Sequence, residues 1–254
     1  MVPRTARKIA QRVISRIMPK LNVRDWDLAV HLRSLFRQFD IDCVLDVGAN
    51  VGQYRDFLRN KVRYGGPIVS FEPVARHVEI LRGRAGRDKG WRIENYALGA
   101  ECRQMSINVA KADEFSSFLE PENSKVPEFS HLNDTDHVES VEVRRLDDIF
   151  PALQERIGFR HPYLKLDTQG YDLEVLRGSV HTLRSIAGLQ TEASVIGIYR
   201  QMPDFMETIA QLKAYGFDLT GMYAVARDAS LRLVEFDCVT INREYALKLA
   251  ERPV

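Results

Sequence analysis

The run Cys43-Val44-Leu45-Asp46-Val47-Gly48-Ala49-Asn50-Val51-Gly52-Gln53-Tyr54 holds the residues whose types and spacing define a chemistry most narrowly. Cys43 to Val47 is short and mostly apolar, as a buried strand is, and Gly48 and Gly52 mark a sharp turn after it. Glycine removes the side chain where backbone must approach a ligand, and the N–H groups that open a helix near Gly52 would face the same space. A second apolar run, Ile68 to Phe71, ends at Glu72. In a doubly wound sheet an acid at that point can accept hydrogen bonds from both hydroxyls of a ribose. The pattern is a cradle for an adenosine-type ligand.

Spacing then separates two kinds of ligand. A dinucleotide fingerprint reads G-x-G-x-x-G, with close glycines serving a pyrophosphate, but here Asn50 stands where the second glycine belongs. Asp46, just ahead of the turn, would repel a diphosphate, yet it could accept a hydrogen bond, directly or through water, from a ligand bearing an ammonium group. A cationic adenosine ligand fits these residues better.

D-V-G-A-N-x-G-x-Y at 46–54, F-E-P at 71–73 and Asn95-Tyr96-Ala97-Leu98-Gly99 together resemble the FkbM family of S-adenosylmethionine-dependent methyltransferases. Phe115-Ser116-Ser117-Phe118-Leu119, Arg145-Leu146-Asp147-Asp148, Leu164-Lys165-Leu166-Asp167-Thr168-Gln169-Gly170-Tyr171 and Leu176-Arg177-Gly178 follow in the family's order, so the resemblance covers about residues 43–200. It implies S-adenosyl-L-methionine as cofactor; by their places after successive strands, Asp46, Gly48 and Asn50 should face the methionine part, Glu72 the ribose, and Asn95, Ala97, Leu98 and Gly99 the adenine, with Gly52 and Tyr54 also in the cofactor site. Each position has a plainer role too: Gly52 could simply allow close helix packing, Glu72 could be a solvated acid before Pro73, and Asn95 could form a turn.

Methyl transfer to oxygen needs a hydroxyl in line with the methyl group and a group to take its proton. Asp167, at the end of an apolar run, is the leading candidate, although it could instead cap the following helix or hold the methionine ammonium. Glu192, in Leu189-Gln190-Thr191-Glu192-Ala193-Ser194, should emerge beside it on the next strand. One carboxylate with a raised pKa could act as base, or the pair could hold a divalent cation; the metal is the less favoured reading, because no third ligand is evident near Glu192. His131, His137 and His161 are weaker candidates for the base. The family's known acceptors imply hydroxyls of small molecules, with a sugar of a glycolipid or other glycoconjugate first and a polyketide or macrolide second. Gln169 and Tyr199 would suit hydrogen bonding to a sugar. An RNA methyltransferase or a non-catalytic binding module fits less well, since no N-P-P-Y-like run follows the fourth strand and no expected cofactor position is lost.

Elements that position these residues can be read from periodicity. From Ile41 onward strand-like and helix-like runs alternate, which predicts an α/β fold with a seven-stranded, mostly parallel sheet and helices on both faces; this resembles the Rossmann-like class I methyltransferase core. Strands start near Cys43, Ile68, Arg92, Tyr163, Leu189, Phe217 and Val234, and helices cover about 53–60, 75–85, 171–176 and 205–215. Met105 to Ala110 and Val138 to Arg144 alternate apolar and polar residues and predict an inserted strand pair. The polar stretch Glu120 to Asp136 between them reads as a lid or a disordered loop.

The chain divides into an N-terminal helical extension, 1–40, and a methyltransferase domain, 41–254. With 254 residues, 45% of them hydrophobic, and a formal net charge of +1, it can bury a large core and shows no global signal for nucleic acid. The three cysteines form no C-x-x-C pair, and no apolar run reaches membrane-spanning length, so a cytoplasmic protein is expected. Arg4, Arg7, Lys8, Arg12, Arg16 and Lys20 accompany Ile9, Val13, Ile14, Ile17 and Met18 at helical spacing. Such a helix would pack on its own domain or on a second copy in a homo-oligomer, or else touch the inner face of an anionic membrane.

Overall fold

A computed structural model describes residues 23–122 and 124–251. The basic stretch at 1–20 lies outside the described residues. Helix α1 (Val23–Gln38) comes first, then β1 (Cys43–Val47), α2 (Gln53–Phe57, running on into a π-helical turn Leu58–Val62), β2 (Ile68–Phe71), α3 (Ala75–Ala85) and β3 (Trp91–Glu94). A short β4 (Ala97–Leu98) and the long β5 (Arg103–Ala110) and β6 (Thr135–Arg144) follow, then α4 (Leu146–Ile157), β7 (Pro162–Leu166), α5 (Asp172–Arg177) and β8 (Gly188–Ser194). The chain continues with α6 (Phe205–Ala214), β9 (Phe217–Arg227), β10 (Leu233–Asn242) and α7 (Arg243–Ala250).

Seven strands form one sheet in the order β3-β2-β1-β7-β8-β10-β9, in which β10 alone runs against the direction of the other six. Every residue of β1, β2 and β7 is buried, the continuous apolar pattern of strands covered by helices on both faces. One face packs Leu45, Phe71, Leu164 and Leu189 against α4, α5 and α6. The other packs Val44, Ile68 and Tyr163 under Leu28, Leu32, Leu35 and Phe36 of α1, and Leu32 is fully buried. Helix α1 therefore belongs to the core of the sheet it covers.

Register decides what meets above the sheet. Val47 pairs with both Phe71 and Leu166, so Gly48, Glu72 and Asp167 leave three adjacent strands at one level. The strand order reverses between β1 and β7, and crevices for ligands open at such switch points. Lys165 pairs with Gln190, and Glu192 with Asp237, which carries the same row onto β8 and β10.

The inserted pair forms as expected, but β4 joins it to make a separate three-stranded sheet, β4-β6-β5, with β4 parallel to β6. The stretch Glu120 to Asp136 is neither an open lid nor disordered among its described residues: Val126 is buried with Ile198, Tyr199 and Val234, and Asn133 donates from Nδ2 to the Ile198 carbonyl at 3.2 Å. Its few apolar side chains, spread among prolines and polar groups, reach partners far off in sequence. Periodicity assigns no helix over 146–157, yet α4 forms there despite Pro151. Leu146, Phe150 and Leu153 fall at i, i+4 and i+7 and are buried, and their packing outweighs the cost of a proline inside a helix, about 3 kcal/mol.

Candidate active site

A cavity of about 490 Å³ opens over the carboxyl ends of β1, β2, β7 and β8, within the range usual for small-molecule sites. Val74, Ala97, Leu98, Ile107 and Phe118 make one end apolar, and Asp167, Glu192, Glu235 and Asp237 make the other acidic. Gly48, Asn50 and Tyr54 lie between them.

The turn after β1 is fixed by contacts that only certain residues permit. Gly48 has φ +79°, and a Cβ there would stand 1.9 Å from the Asp167 carbonyl oxygen, so this glycine lets β1 and β7 end side by side. Asn50 is left-handed with φ +49°; its side-chain oxygen accepts the Val51 N–H at 2.5 Å, and its own N–H donates to Glu72 Oε2 at 2.7 Å. Glu72 Oε1 accepts the Val74 N–H at 2.9 Å and lies 3.3 Å from His77 Nδ1. The buried Glu72 carboxylate thus ties the β1 turn to the loop after β2 while still facing the cavity. His77 is itself buried, and its Nε2 is 3.4 Å from Asp113 of the inserted segment. Burial works to lower the His77 pKa, but Glu72 and Asp113 outweigh it and hold the imidazole above its ordinary value.

At the acidic end, Lys165 donates from Nζ to Asp167 Oδ2 at 3.0 Å, lies 3.7 Å from Asp46 Oδ1 and sits 5.0 Å from the centre of the Tyr54 ring. Burial opposes its charge, but Asp167 and Asp46 raise its pKa above the ordinary lysine value, so it stays an ammonium. Gln169, left-handed with φ +51°, donates from Nε2 to Asp167 Oδ1 at 3.0 Å and to Glu192 Oε2 at 3.5 Å. Ser117 donates to the Gln169 carbonyl at 2.7 Å, and the Tyr199 hydroxyl lies 2.8 Å from the Phe115 carbonyl and 3.2 Å from Gln169 Oε1. The inserted segment is thereby fastened beside the carboxylates. Tyr54 donates to Gln190 Oε1 at 2.9 Å, and Gln190 donates from Nε2 to Asp237 Oδ1 at 2.9 Å. Burial raises the Glu192 pKa well above the carboxylate range, and Glu235, Asp167, Asp237 and Asp172 add to the shift.

Of the positions singled out in the sequence, Gly48, Asn50, Tyr54, Glu72, Ala97, Leu98, Asp167, Gln169 and Glu192 line this one cavity. Five do not. Asp46 is wholly buried beneath it, accepting from Ser70 Oγ at 2.9 Å, because alternation along β1 turns its side chain away from the turn's ligand face. Gly52 makes room for Trp91, whose ring a Cβ would meet at 2.7 Å, and Gly99 makes room for Val143. Asn95 donates to the Glu72 and Pro73 carbonyls at 3.3 Å and so fastens the loop that carries Glu72. Tyr199, only 3% exposed, stands behind Gln169. His131 and His161 are not among the lining residues, and His137 is exposed between Asp136 and Glu139. Lys165, His77, Glu235 and Asp237 were not singled out, although a lysine inside the apolar run Tyr163 to Leu166 is itself a signal, since charges are rarely buried unpaired. Among the described residues, no group of three or more His, Cys, Asp or Glu side chains is placed to hold a metal ion.

The model of a protein family described as the methyltransferase FkbM domain matches residues 46–219. Among solved structures, Aeropyrum pernix fibrillarin in complex with natively bound S-adenosyl-L-methionine is 10% identical with a TM-score of 0.41, over 79% of this chain and 66% of that one. A precorrin-6y C5,15-methyltransferase from Geobacter metallireducens is 11% identical with a TM-score of 0.41, over 85% and 87% of the two chains. A candidate O-methyltransferase from Klebsiella pneumoniae is 13% identical with a TM-score of 0.46, over 92% and 96%. No curated protein matches the chain.

Proposed function

The chain belongs to the FkbM methyltransferase family, and from that premise we propose that it methylates a hydroxyl of a small molecule, first of all a sugar of a glycolipid or other glycoconjugate. Its methyl donor is S-adenosylmethionine, whose sulfonium supplies an electrophilic methyl group. The residues present suit that donor. Val74, Ala97, Leu98, Ile107 and Phe118 offer an apolar slot for a purine, and Glu72 offers acceptor lone pairs to ribose hydroxyls beyond those its two backbone partners use. The ends of β1 and β7, with Gly48 and Asp167, suit the cationic amino-acid portion.

The observation that carries the reading is the polarity of this cavity: an apolar group, Val74, Ala97, Leu98, Ile107 and Phe118, lines one part, and carboxylates at Asp167 and Glu192 line another. Carboxylates at the second end can accept hydrogen bonds from a sugar's hydroxyls and orient one of them for attack. The Gln169 amide, committed to these carboxylates, sets their spacing instead of binding the acceptor itself. Tyr199 supports it from behind. Phe115 and Phe118 add apolar surface to the cavity lining, which disfavours water beside the acceptor. The six basic residues at 1–20 support an acceptor presented at an anionic membrane surface by a cytoplasmic enzyme. Among the described residues, no helix is long and apolar enough to cross a membrane.

The experiment is to incubate purified protein with methyl-tritiated S-adenosylmethionine and glycolipid or aqueous extracts of its source cells, then to treat the products with mild alkali. Label that survives, as an ether does, supports the reading. Label released as methanol, as from an ester, or found only in RNA, contradicts it.

A further inference from the structure

Resting on that O-methylation reading, we propose that Glu192 takes the acceptor's proton, while Lys165 and Gln169 act as positioning residues that hold Asp167 as a fixed hydrogen-bond acceptor. The two acids at the acidic end of the cavity are treated very differently by their surroundings. Both oxygens of Asp167 are engaged, Oδ2 by the Lys165 ammonium and Oδ1 by the Gln169 amide, each at 3.0 Å. Those partners stand two residues before and two after it, so the end of β7 fixes the carboxylate from both sides. A carboxylate so bound is held in one orientation by charge-assisted hydrogen bonding.

Glu192 is held far more loosely. Its carboxylate accepts from Gln169 Nε2 at 3.5 Å, the outer limit of a hydrogen bond. The titratable groups acting on it are Asp167 just after β7, Asp172 from α5, Glu235 and Asp237 from β10, and the Tyr199 hydroxyl. The charged ones are all acids, and the cation of the cavity, Lys165, already serves Asp167 and Asp46. Burial and these neighbours raise its affinity for a proton, so its ionised form, populated as pH rises, is the stronger base for the hydroxyl proton.

The step balances as a displacement. The acceptor oxygen forms a bond to the methyl carbon as the carbon–sulfur bond breaks, and its electron pair stays on sulfur, leaving neutral S-adenosylhomocysteine. The hydroxyl proton passes to the Glu192 carboxylate and is lost to water after product leaves.

Two measurements test the assignment. The first is carbon NMR of protein labelled at Asp and Glu side-chain carboxyls and saturated with S-adenosylhomocysteine, with signals assigned through Glu192→Gln and Asp167→Asn. Glu192 is expected to ionise well above the usual carboxylate range; ionisation within that range overturns the assignment. The second is the pH profile of transfer from tritiated S-adenosylmethionine to the labelled extract fraction. Glu192→Gln, confirmed as folded by unchanged S-adenosylhomocysteine binding, should lower kcat roughly 10²-fold or more and lose the rise with pH expected of wild type. Asp167→Asn should keep that rise and act mainly on KM. A Glu192→Gln enzyme that keeps the wild-type kcat and pH profile overturns the proposal. Wild-type protein that labels no extract counts against the O-methylation reading as a whole, whereas a Glu192 that ionises within the usual carboxylate range removes only the choice of base.

Discussion

Replacing Glu72 with alanine should cost both affinity for the methyl donor and order in the turn that receives it. The carboxylate accepts the Asn50 N–H at 2.7 Å and the Val74 N–H at 2.9 Å from a site only 4% exposed. Hydrogen bonds to a charged group contribute about 1.5–3 kcal/mol each. Water entering from the cavity can replace part of this, so the low end applies, about 3 kcal/mol for the pair. Asn50 holds a left-handed backbone, which costs about 1–3 kcal/mol and persists only where neighbours impose it. Without Glu72 the free turn relaxes, and the ligand must reorder it on binding while losing its own contacts to the acid. At about 1.4 kcal/mol per decade, Kd for S-adenosylhomocysteine should rise roughly a hundredfold. Titration calorimetry measures this, beside a Glu72→Gln variant that keeps one acceptor oxygen and should lose roughly tenfold. An alanine variant that stays folded and binds within roughly threefold of wild type would refute the reasoning.

Other consequences follow from the same geometry. Gly48→Ala forces a Cβ against the Asp167 carbonyl at a positive φ, so it should lower stability by about 3 kcal/mol or more, read as a drop in Tm. Lys165→Met leaves the buried Asp46 without its cation and should cost about 3–5 kcal/mol near neutral pH by urea denaturation. Burial raises the folded Asp46 pKa above its ordinary value, so the folded state binds the extra proton and this deficit should shrink as pH falls toward the ordinary carboxylate range; a deficit that grows on acidification is the wrong sign. Because Glu72 and Asp113 hold His77 above its ordinary 6.5 despite burial, its stabilisation is complete below that pH and fades as pH rises through the folded value. In His77→Gln that loss of stability with rising pH should disappear, which denaturation across the range would show. Tyr199→Phe should loosen the inserted segment by about 1 kcal/mol, seen as faster amide exchange over 113–119, with donor affinity little changed.

The sheet could be read from the sequence because its central strands are buried on both faces and so appear as unbroken apolar runs, as at Cys43 to Val47 and Tyr163 to Leu166. Helix α4 could not, since Pro151 argues locally against what Leu146, Phe150 and Leu153 achieve by packing. In the site, residues that directly follow a strand were legible: register places Gly48, Glu72 and Asp167 together. Residues one step away were not. Asp46 is the right type in the right motif, but pleating points it beneath the cavity to balance Lys165. Asp237 and Glu235 depend on an antiparallel pairing some forty residues further along the chain, which no local pattern encodes. Tyr199 sits at the site but behind its wall, fixing Gln169 and the inserted segment.

A crystal structure with S-adenosylhomocysteine would test the central claim most directly. The account predicts adenine between Leu98 and Phe118, both ribose hydroxyls on Glu72, and the sulfur facing the space beside Asp167 and Glu192. A ribose away from Glu72, or a sulfur turned toward His77 and away from the carboxylates, would contradict it.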